Sequence, residues 1–196
     1  MDQLIISISR EYGSGGHEIA ELLAKRFGLD LYDHNLLDEM FGAKKVEKNG
    51  LRNYDEVPKF GLTRTVRGMS SSVERTLSEK QFEFIESMAK EGKSFVICGR
   101  CSESVLKEYN CMVPIFILGD YDCKLDRIMK RRNMDGVEAA LAISRHDKKR
   151  KSYHNFYCDG KWGDSRLYDI TINSSRLGID GTADFLERYI KQLKHI

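Results

Sequence analysis

The sequence predicts an α/β fold in which a parallel sheet of about five strands is covered by helices on both faces. Three observations predict it. Short apolar runs rich in β-branched residues alternate with segments of helical periodicity. A glycine turn joins the first such run to the first helix. The chain has 196 residues, 41% hydrophobic and 32% charged, with 16 Gly and 2 Pro, enough for one sizeable core and too regular for disorder, collagen or a disulfide scaffold.

Leu4 to Ser9 (LIISIS) reads as a buried strand, bounded by the charged pair Arg10 and Glu11. After Gly13-Ser14-Gly15-Gly16, the residues Ile19, Leu22, Leu23 and Phe27 recur at helical spacing, with Gly28 placed as a C-terminal cap. Leu29 to Tyr32 is a second strand with Asp33 at its end, and a short helix follows from Asn35 to Phe41. Between Gly42 and Ser72 the periodicity fades among scattered cations, Gly and Pro, which predicts an insert. A helix then runs from Val73 to Glu91 with Phe82, Ile85 and Met88 as its stripe, and leads into the strand Phe95 to Cys98.

The turn Gly99-Arg100 precedes a helix over Ser102 to Tyr109 and the strand Val113 to Leu118. Tyr121 to Arg132 and Gly136 to Lys151 read as two basic helices broken at Asn133 to Asp135, a candidate lid over residues 131–157. Asp169 to Ile172 is the last strand and Thr182 to Leu193 an amphipathic final helix. There is no repeat, so residues 1–196 are read as one domain. The central strands are expected to be Leu4 to Ser9 and Phe95 to Cys98, as neighbours, because their apolar runs require burial on both faces. Ligands of such sheets bind beyond the carboxyl ends of the strands.

Lys plus Arg total 32 against 30 for Asp plus Glu, so a net charge of +2 gives no global attraction to nucleic acid or to an anionic membrane surface. No run approaches the roughly 18 apolar residues of a membrane span, and no segment reads as a signal peptide, which predicts a cytoplasmic protein. The 5 Cys form a single CxxC, Cys98 with Cys101, without a second pair. Reduced thiols are expected, and that pair reads as structural or incidental. His17, His34, His146, His154 and His195 show no ligand spacing, so no metal cage made by protein alone is expected.

The segment Arg10-Glu11-Tyr12-Gly13-Ser14-Gly15-Gly16-His17-Glu18 is the strongest chemical feature. Glycines between a strand and a helix let successive backbone N–H groups converge on an anion beside the positive end of the helix dipole, so phosphate is the natural ligand. The plain alternative is a tight turn. The strict pattern G-x-x-x-x-G-K-[ST] is not met, since His17 stands where Lys belongs. A dinucleotide fingerprint lacks its third glycine at Glu18, although Asp33 sits where its acidic partner would.

Arg100 at the carboxyl end of a buried strand is either a bidentate phosphate ligand or a surface salt bridge. Arg145, Lys148, Lys149, Arg150 and Lys151 form either a solvated basic face or a flap that closes over phosphates. The aromatics of Tyr153 to Tyr157 (YHNFY) read as core before they read as a base-stacking surface.

The opening ISISREYGSGGHEIAELLAKRFGLDLYDHNLL, the middle VICGR and the segment Arg145 to Ile179 together resemble the cytidylate kinase-like family, a branch of the P-loop nucleoside monophosphate kinases. The resemblance weakens only over Gly42 to Ser72, where an acceptor-binding insert would sit. It implies a P-loop NTPase three-layer α/β/α sandwich around a central parallel five-stranded sheet, with a helical lid and a small insert. It implies ATP with Mg²⁺ as donor and a nucleoside monophosphate as acceptor, and no nucleic-acid or membrane partner. Gly13, Ser14, Gly15, Gly16, His17 and Glu18 would form the phosphate loop, and Asp33, Arg100 and Asp147 would serve the acceptor. Arg10, His17, Arg145 and Arg150 would supply catalytic charge.

The chain also departs from the enzymes of that name, which carry Lys at the position of His17, a hydroxyl at that of Ile19 and Asp at that of Cys101. Without the hydroxyl, Mg²⁺ would be met by Asp33 or Glu18 or would ride on ATP through water. Two alternatives therefore stand beside the kinase: a catalytically silent nucleotide-binding module, and a kinase of another small phosphorylated acceptor.

Overall fold

The computed structural model describes residues 3–33, 36–42 and 70–195. Of the insert expected over 42–72, residues 43–69 lie outside the described residues, while 70–72 already belong to the following helix, which starts at Ser70 rather than Val73. Five strands form one parallel sheet: β1 (Ile5–Arg10), β2 (Asp30–Tyr32), β3 (Phe95–Cys98), β4 (Met112–Leu118) and β5 (Ile170–Asn173), in the order β2-β3-β1-β4-β5. β1 pairs with β3 from Ile5 opposite Phe95 to Ile8 opposite Cys98, and with β4 from Ile5 opposite Met112 to Arg10 opposite Ile117. Both predicted central strands are thus neighbours at the middle of the sheet. Ile5, Ile6 and Ile8 are each 0% exposed, which is what burial on both faces requires of β1.

One face packs on α1 (Gly16–Phe27) and α7 (Ser174–Lys194), where Ile19, Leu23, Leu186 and Ile190 meet Ile6, Ile8 and Val96. The other packs on α2 (Leu36–Phe41), α3 (Ser70–Lys90) and α4 (Ser102–Val105), where Leu36, Ile85, Met88 and Leu106 meet Ile5, Phe95 and Ile97. Gly28 ends α1 in a left-handed conformation and donates its N–H to the Ala24 and Lys25 carbonyls. Two further helices, α5 (Tyr121–Arg132) and α6 (Gly136–Tyr157), make a hairpin above the carboxyl ends of β1 and β4. Asp135 and Glu138 start α6 with a reciprocal capping box.

Three further helix boundaries differ from expectation. The helix expected over Ser102 to Tyr109 stops at Val105, because Leu106 turns into the core and the following N–H groups bond three residues back. The helix expected to end at Lys151 continues to Tyr157, because Tyr153 and His154 give its last turns a buried face on Cys101 and Cys158. The final helix begins at Ser174 rather than Thr182, since the Asn173 side chain accepts from the Ser175 N–H at 3.0 Å; a kink at Gly178 separates this start from the amphipathic part.

Candidate active site

The glycine loop lies where β1 ends and α1 begins, at the carboxyl edge of the sheet. Gly13 (φ 85°) and Gly15 (φ 78°) take left-handed conformations that side-chain-bearing residues resist. A Cβ on Gly16 would lie 2.5 Å from the Arg10 Cβ, so the backbone reverses too tightly there for any side chain. The loop is braced from outside. Glu11 Oε2 accepts from the Gly119 N–H at 3.2 Å and from Lys124 Nζ at 2.9 Å. Asp147 Oδ1 accepts from the Tyr12 N–H at 2.7 Å. Ser14 Oγ donates to the Glu11 carbonyl at 2.9 Å, and Ser174 Oγ donates to the Ser14 carbonyl at 2.5 Å.

A cavity of about 430 Å³ opens over this loop. Gly15, Gly16, His17 and Glu18 form one wall, so the start of α1 faces it with N–H groups that have no intrahelical acceptor and with the positive end of the helix dipole. Arg10, Arg100, Arg127, Arg131, Arg132 and Arg150 line it as well, against the carboxylates of Glu11, Glu18 and Asp33. So dense a set of guanidinium groups around a helix start is chemically suited to a polyanion, because each offers paired N–H donors in a plane.

His17 and Asp33 meet on the cavity wall, Nδ1 to Oδ2 at 3.1 Å, and His17 Nε2 lies 3.3 Å from Glu21 Oε1. Arg100 is 4% exposed, and its Nη2 donates to the Asp33 carbonyl at 3.1 Å. Arg150 Nη1 donates to the Arg10 carbonyl at 3.1 Å, and its guanidinium lies 5.8 Å from the centre of the Tyr12 ring. The His146 ring stacks on Tyr12 with centroids 4.2 Å apart. Burial, followed by repulsion from Arg150, Arg145, Lys149 and Arg132, pushes His146 down to about 4, so the ring stays neutral at ordinary pH.

Of the residues singled out in the sequence, Arg10, Gly13, Gly15, Gly16, His17, Glu18, Asp33, Arg100 and Arg150 are gathered on this one cavity. Ser14 lies 1% exposed just beneath the loop. Two others are placed differently. Asp147 is drawn under the loop by the Tyr12 N–H and by Lys124 Nζ at 3.6 Å, off the cavity wall, where it holds the loop's shape. Arg145 is exposed and does not line the cavity. Ile19 is 0% exposed and packs in the core, so no side chain at that position reaches the cavity.

Sequence reasoning missed Arg127, whose guanidinium occupies the space that a side chain on Gly15 would fill. Its Nη1 is buried with no hydrogen-bond partner. The available signal was the i, i+4 spacing of Arg127 and Arg131 on one face of α5. The brace of Glu11 and Lys124 had no sequence signal, since the two residues are far apart in the chain and meet only through the fold. The meeting of Glu103, His154 and Cys158 behind the Arg100 turn, with one polar atom of each within 4.8 Å of the others, had no signal in the spacing of the histidines. Tyr153 and His154 are buried as expected of core, whereas Phe156 is 48% exposed.

The sequence pattern of the cytidylate kinase-like family matches residues 5–176. Cytidylate kinase of Pyrococcus horikoshii is 25% identical over 98% of this chain and 91% of its own length, and that of Methanococcus vannielii is 29% identical over 96% and 100%. Among solved structures, an uncharacterized protein from Eubacterium ventriosum has a TM-score of 0.77 at 38% identity, covering 96% of this chain and 99% of that one. Shikimate kinase from Bacteroides thetaiotaomicron, at 12% identity and a TM-score of 0.56 over 96% of this chain and 98% of its own, shares the fold. With the parallel sheet of a P-loop kinase and a family pattern that spans most of its length, the chain belongs to the cytidylate kinase-like family.

Proposed function

We propose that the protein transfers the γ-phosphoryl group of ATP to a nucleoside monophosphate. The observation that carries this reading is the cavity itself, which a glycine loop and helix start line together with the Arg100–Asp33 pair and several further arginines. In this reading the N–H groups of Gly13 to His17 hold the donor's β-phosphate. Arg100 binds the acceptor phosphate, and Arg10, Arg127 and Arg150 neutralise the charge that spreads over the transferring group. Such catalysis is chiefly positioning and charge compensation, for which a low-dielectric cluster of guanidinium groups suffices.

His17 takes the place of the loop lysine of the named enzymes, held by Asp33 and Glu21, and Arg127 supports it with a permanent charge on the same side of the loop. Mg²⁺ would neutralise donor phosphate charge when bound. The carboxylates that fit it are Asp33 and Glu18, but each already has a partner, His17 for Asp33 and Arg131 for Glu18, which favours contact through water over direct ligation. The test is an assay of the purified protein with ATP and Mg²⁺ against a panel of nucleoside monophosphates, with shikimate and other small phosphorylated or hydroxylated acceptors alongside. Phosphoryl transfer to one nucleoside monophosphate is the expected outcome.

A catalytically silent nucleotide-binding module is the second reading, favoured by one observation: neither Glu18, which follows His17 and is held by Arg131, nor the buried Ile19 offers the loop a metal-binding hydroxyl. ATP affinity without transfer to any acceptor in the panel would establish it.

A further inference from the structure

A separate group of reactive side chains lies behind the turn that carries Arg100. Cys101 precedes α4 and Glu103 is in its first turn, while His154 and Cys158 stand one turn apart at the C-terminal end of α6. His154 Nε2 lies 2.7 Å from Glu103 Oε1, and Ser9 Oγ donates to Glu103 Oε2 at 3.1 Å. With Nε2 held by the carboxylate, the buried Nδ1 is the ring nitrogen left to serve Cys158. The Cys158 sulfur is the reactive atom within its reach, and Cys101 packs against Cys158 in one buried cluster. His154 is 3% exposed, Cys101 4%, Glu103 5% and Cys158 9%. A cavity of about 330 Å³, distinct from the one over the glycine loop, reaches Glu103 and Cys158 from outside.

We propose that Cys158 is a peroxide-reactive thiol with Cys101 as its resolving partner, so that oxidation joins the end of the lid helix α6 to the Arg100 turn by an intramolecular disulfide. The arrangement supplies what such a thiol needs: a buried acid–base ring oriented by a carboxylate, a second thiol in contact, and an opening wide enough for a small oxidant. The surrounding charges agree with it. The hydrogen bond from Cys101 leads in lowering the Cys158 thiol; burial and the Glu103 carboxylate oppose this, but the His154 hydrogen bond and charge add to it, and the net direction is down. For His154, burial favours the neutral ring, but hydrogen bonds to Cys158 and Glu103 and the Glu103 charge outweigh it, so the pair favours thiolate and imidazolium.

The chemistry balances in two steps. The Cys158 thiolate attacks one oxygen of hydrogen peroxide, the O–O bond breaks, and the departing hydroxide takes a proton from His154 and leaves as water, which gives a sulfenic acid. The Cys101 thiol then gives up its proton as its sulfur attacks the sulfenic sulfur; the S–O bond breaks, a second water leaves, and the S–S bond forms. Two thiols are oxidised and one peroxide is reduced to two waters. The same donors resemble a zinc site, but both oxygens of Glu103 are engaged by Ser9 and His154, which favours an orienting role for the carboxylate over ligation.

The test needs no kinase activity, so its failure is distinguishable from failure of the kinase reading. Reduced full-length protein is exposed to one equivalent of hydrogen peroxide, alkylated, digested without reductant and analysed by mass spectrometry. The Cys101–Cys158 disulfide should form at least about tenfold faster than any oxidation of the exposed Cys123, and dithiothreitol should reverse it. In Cys101→Ser, Cys158 should instead be captured by dimedone as the sulfenic acid. Oxidation of Cys123 ahead of a still-reduced Cys101 and Cys158 would overturn the proposal. Stoichiometric binding of Co²⁺ with a thiolate charge-transfer band that Cys158→Ser abolishes would overturn it too, in favour of a metal site.

Discussion

Lys124 Nζ lies 2.9 Å from Glu11 Oε2 beneath the glycine loop, with the Lys124 side chain only 9% exposed. This ion pair fixes the approach to the loop, because the same carboxylate oxygen also accepts the Gly119 N–H from the end of β4. Lys124→Met would leave Glu11 and Asp147 without their shared cation. The expected loss is about 2–3 kcal/mol of unfolding free energy, between the cost of one unsatisfied buried polar group and that of a broken buried pair. Urea denaturation measures it, and ATP affinity should fall in parallel because the loop loses its brace.

Gly16→Ala tests the loop by sterics alone. Its Cβ would meet the Arg10 Cβ at 2.5 Å, and two carbons on neighbouring backbone segments separate only if the loop moves. ATP affinity, read by calorimetry, should drop at least about tenfold as the N–H groups lose their convergence, while the far-ultraviolet circular dichroism stays that of the parent. Gly15→Val would in addition displace the Arg127 guanidinium and strain a left-handed backbone position, and its effect should be larger.

The arginines differ in what their loss should do. Arg127→Ala and Arg150→Ala remove guanidinium groups from the cavity wall, and each should lower kcat by on the order of a thousandfold while changing the KM for ATP far less. Arg145→Ala removes an exposed side chain and should cost less than about tenfold in kcat. Arg100→Ala should raise the KM of the acceptor. Steady-state kinetics with the acceptor identified from the panel separates these outcomes.

His146 makes stability depend on pH. Its ring is pushed down to about 4 in the folded protein, against about 6.5 in an unfolded chain, so between those values the unfolded state binds the extra proton. The stability that His146 contributes is complete above pH 6.5 and is lost as pH falls toward 4. Allowing for its partial exposure, the loss is on the order of 1 kcal/mol. Denaturation midpoints measured across this window should fall with pH, and His146→Phe, which keeps the stack on Tyr12, should flatten the dependence.

The sequence by itself determined the sheet and the place of the glycine loop on it. Ile5, Ile6 and Ile8 cannot be solvated on either side, so β1 had to be central, and a glycine turn after a central parallel strand opens at the sheet's carboxyl edge. Local signals also sufficed for the Gly28 cap and for the span of α5. Only the tertiary structure decided which cations face the cavity. Arg127 and Arg145 look alike in a basic amphipathic sequence, and what separates them is the rotation of α5 and α6 about their axes, set where Ile128, Ala139 and Ile143 interlock beside Tyr12. Distance along the chain likewise hid the meeting of Asp147 with Tyr12, of Lys124 with Glu11, and of Cys158 with Cys101. Those contacts join residues that no periodicity links, and they exist because α6, packed across the loop, carries its far end back to the Arg100 turn.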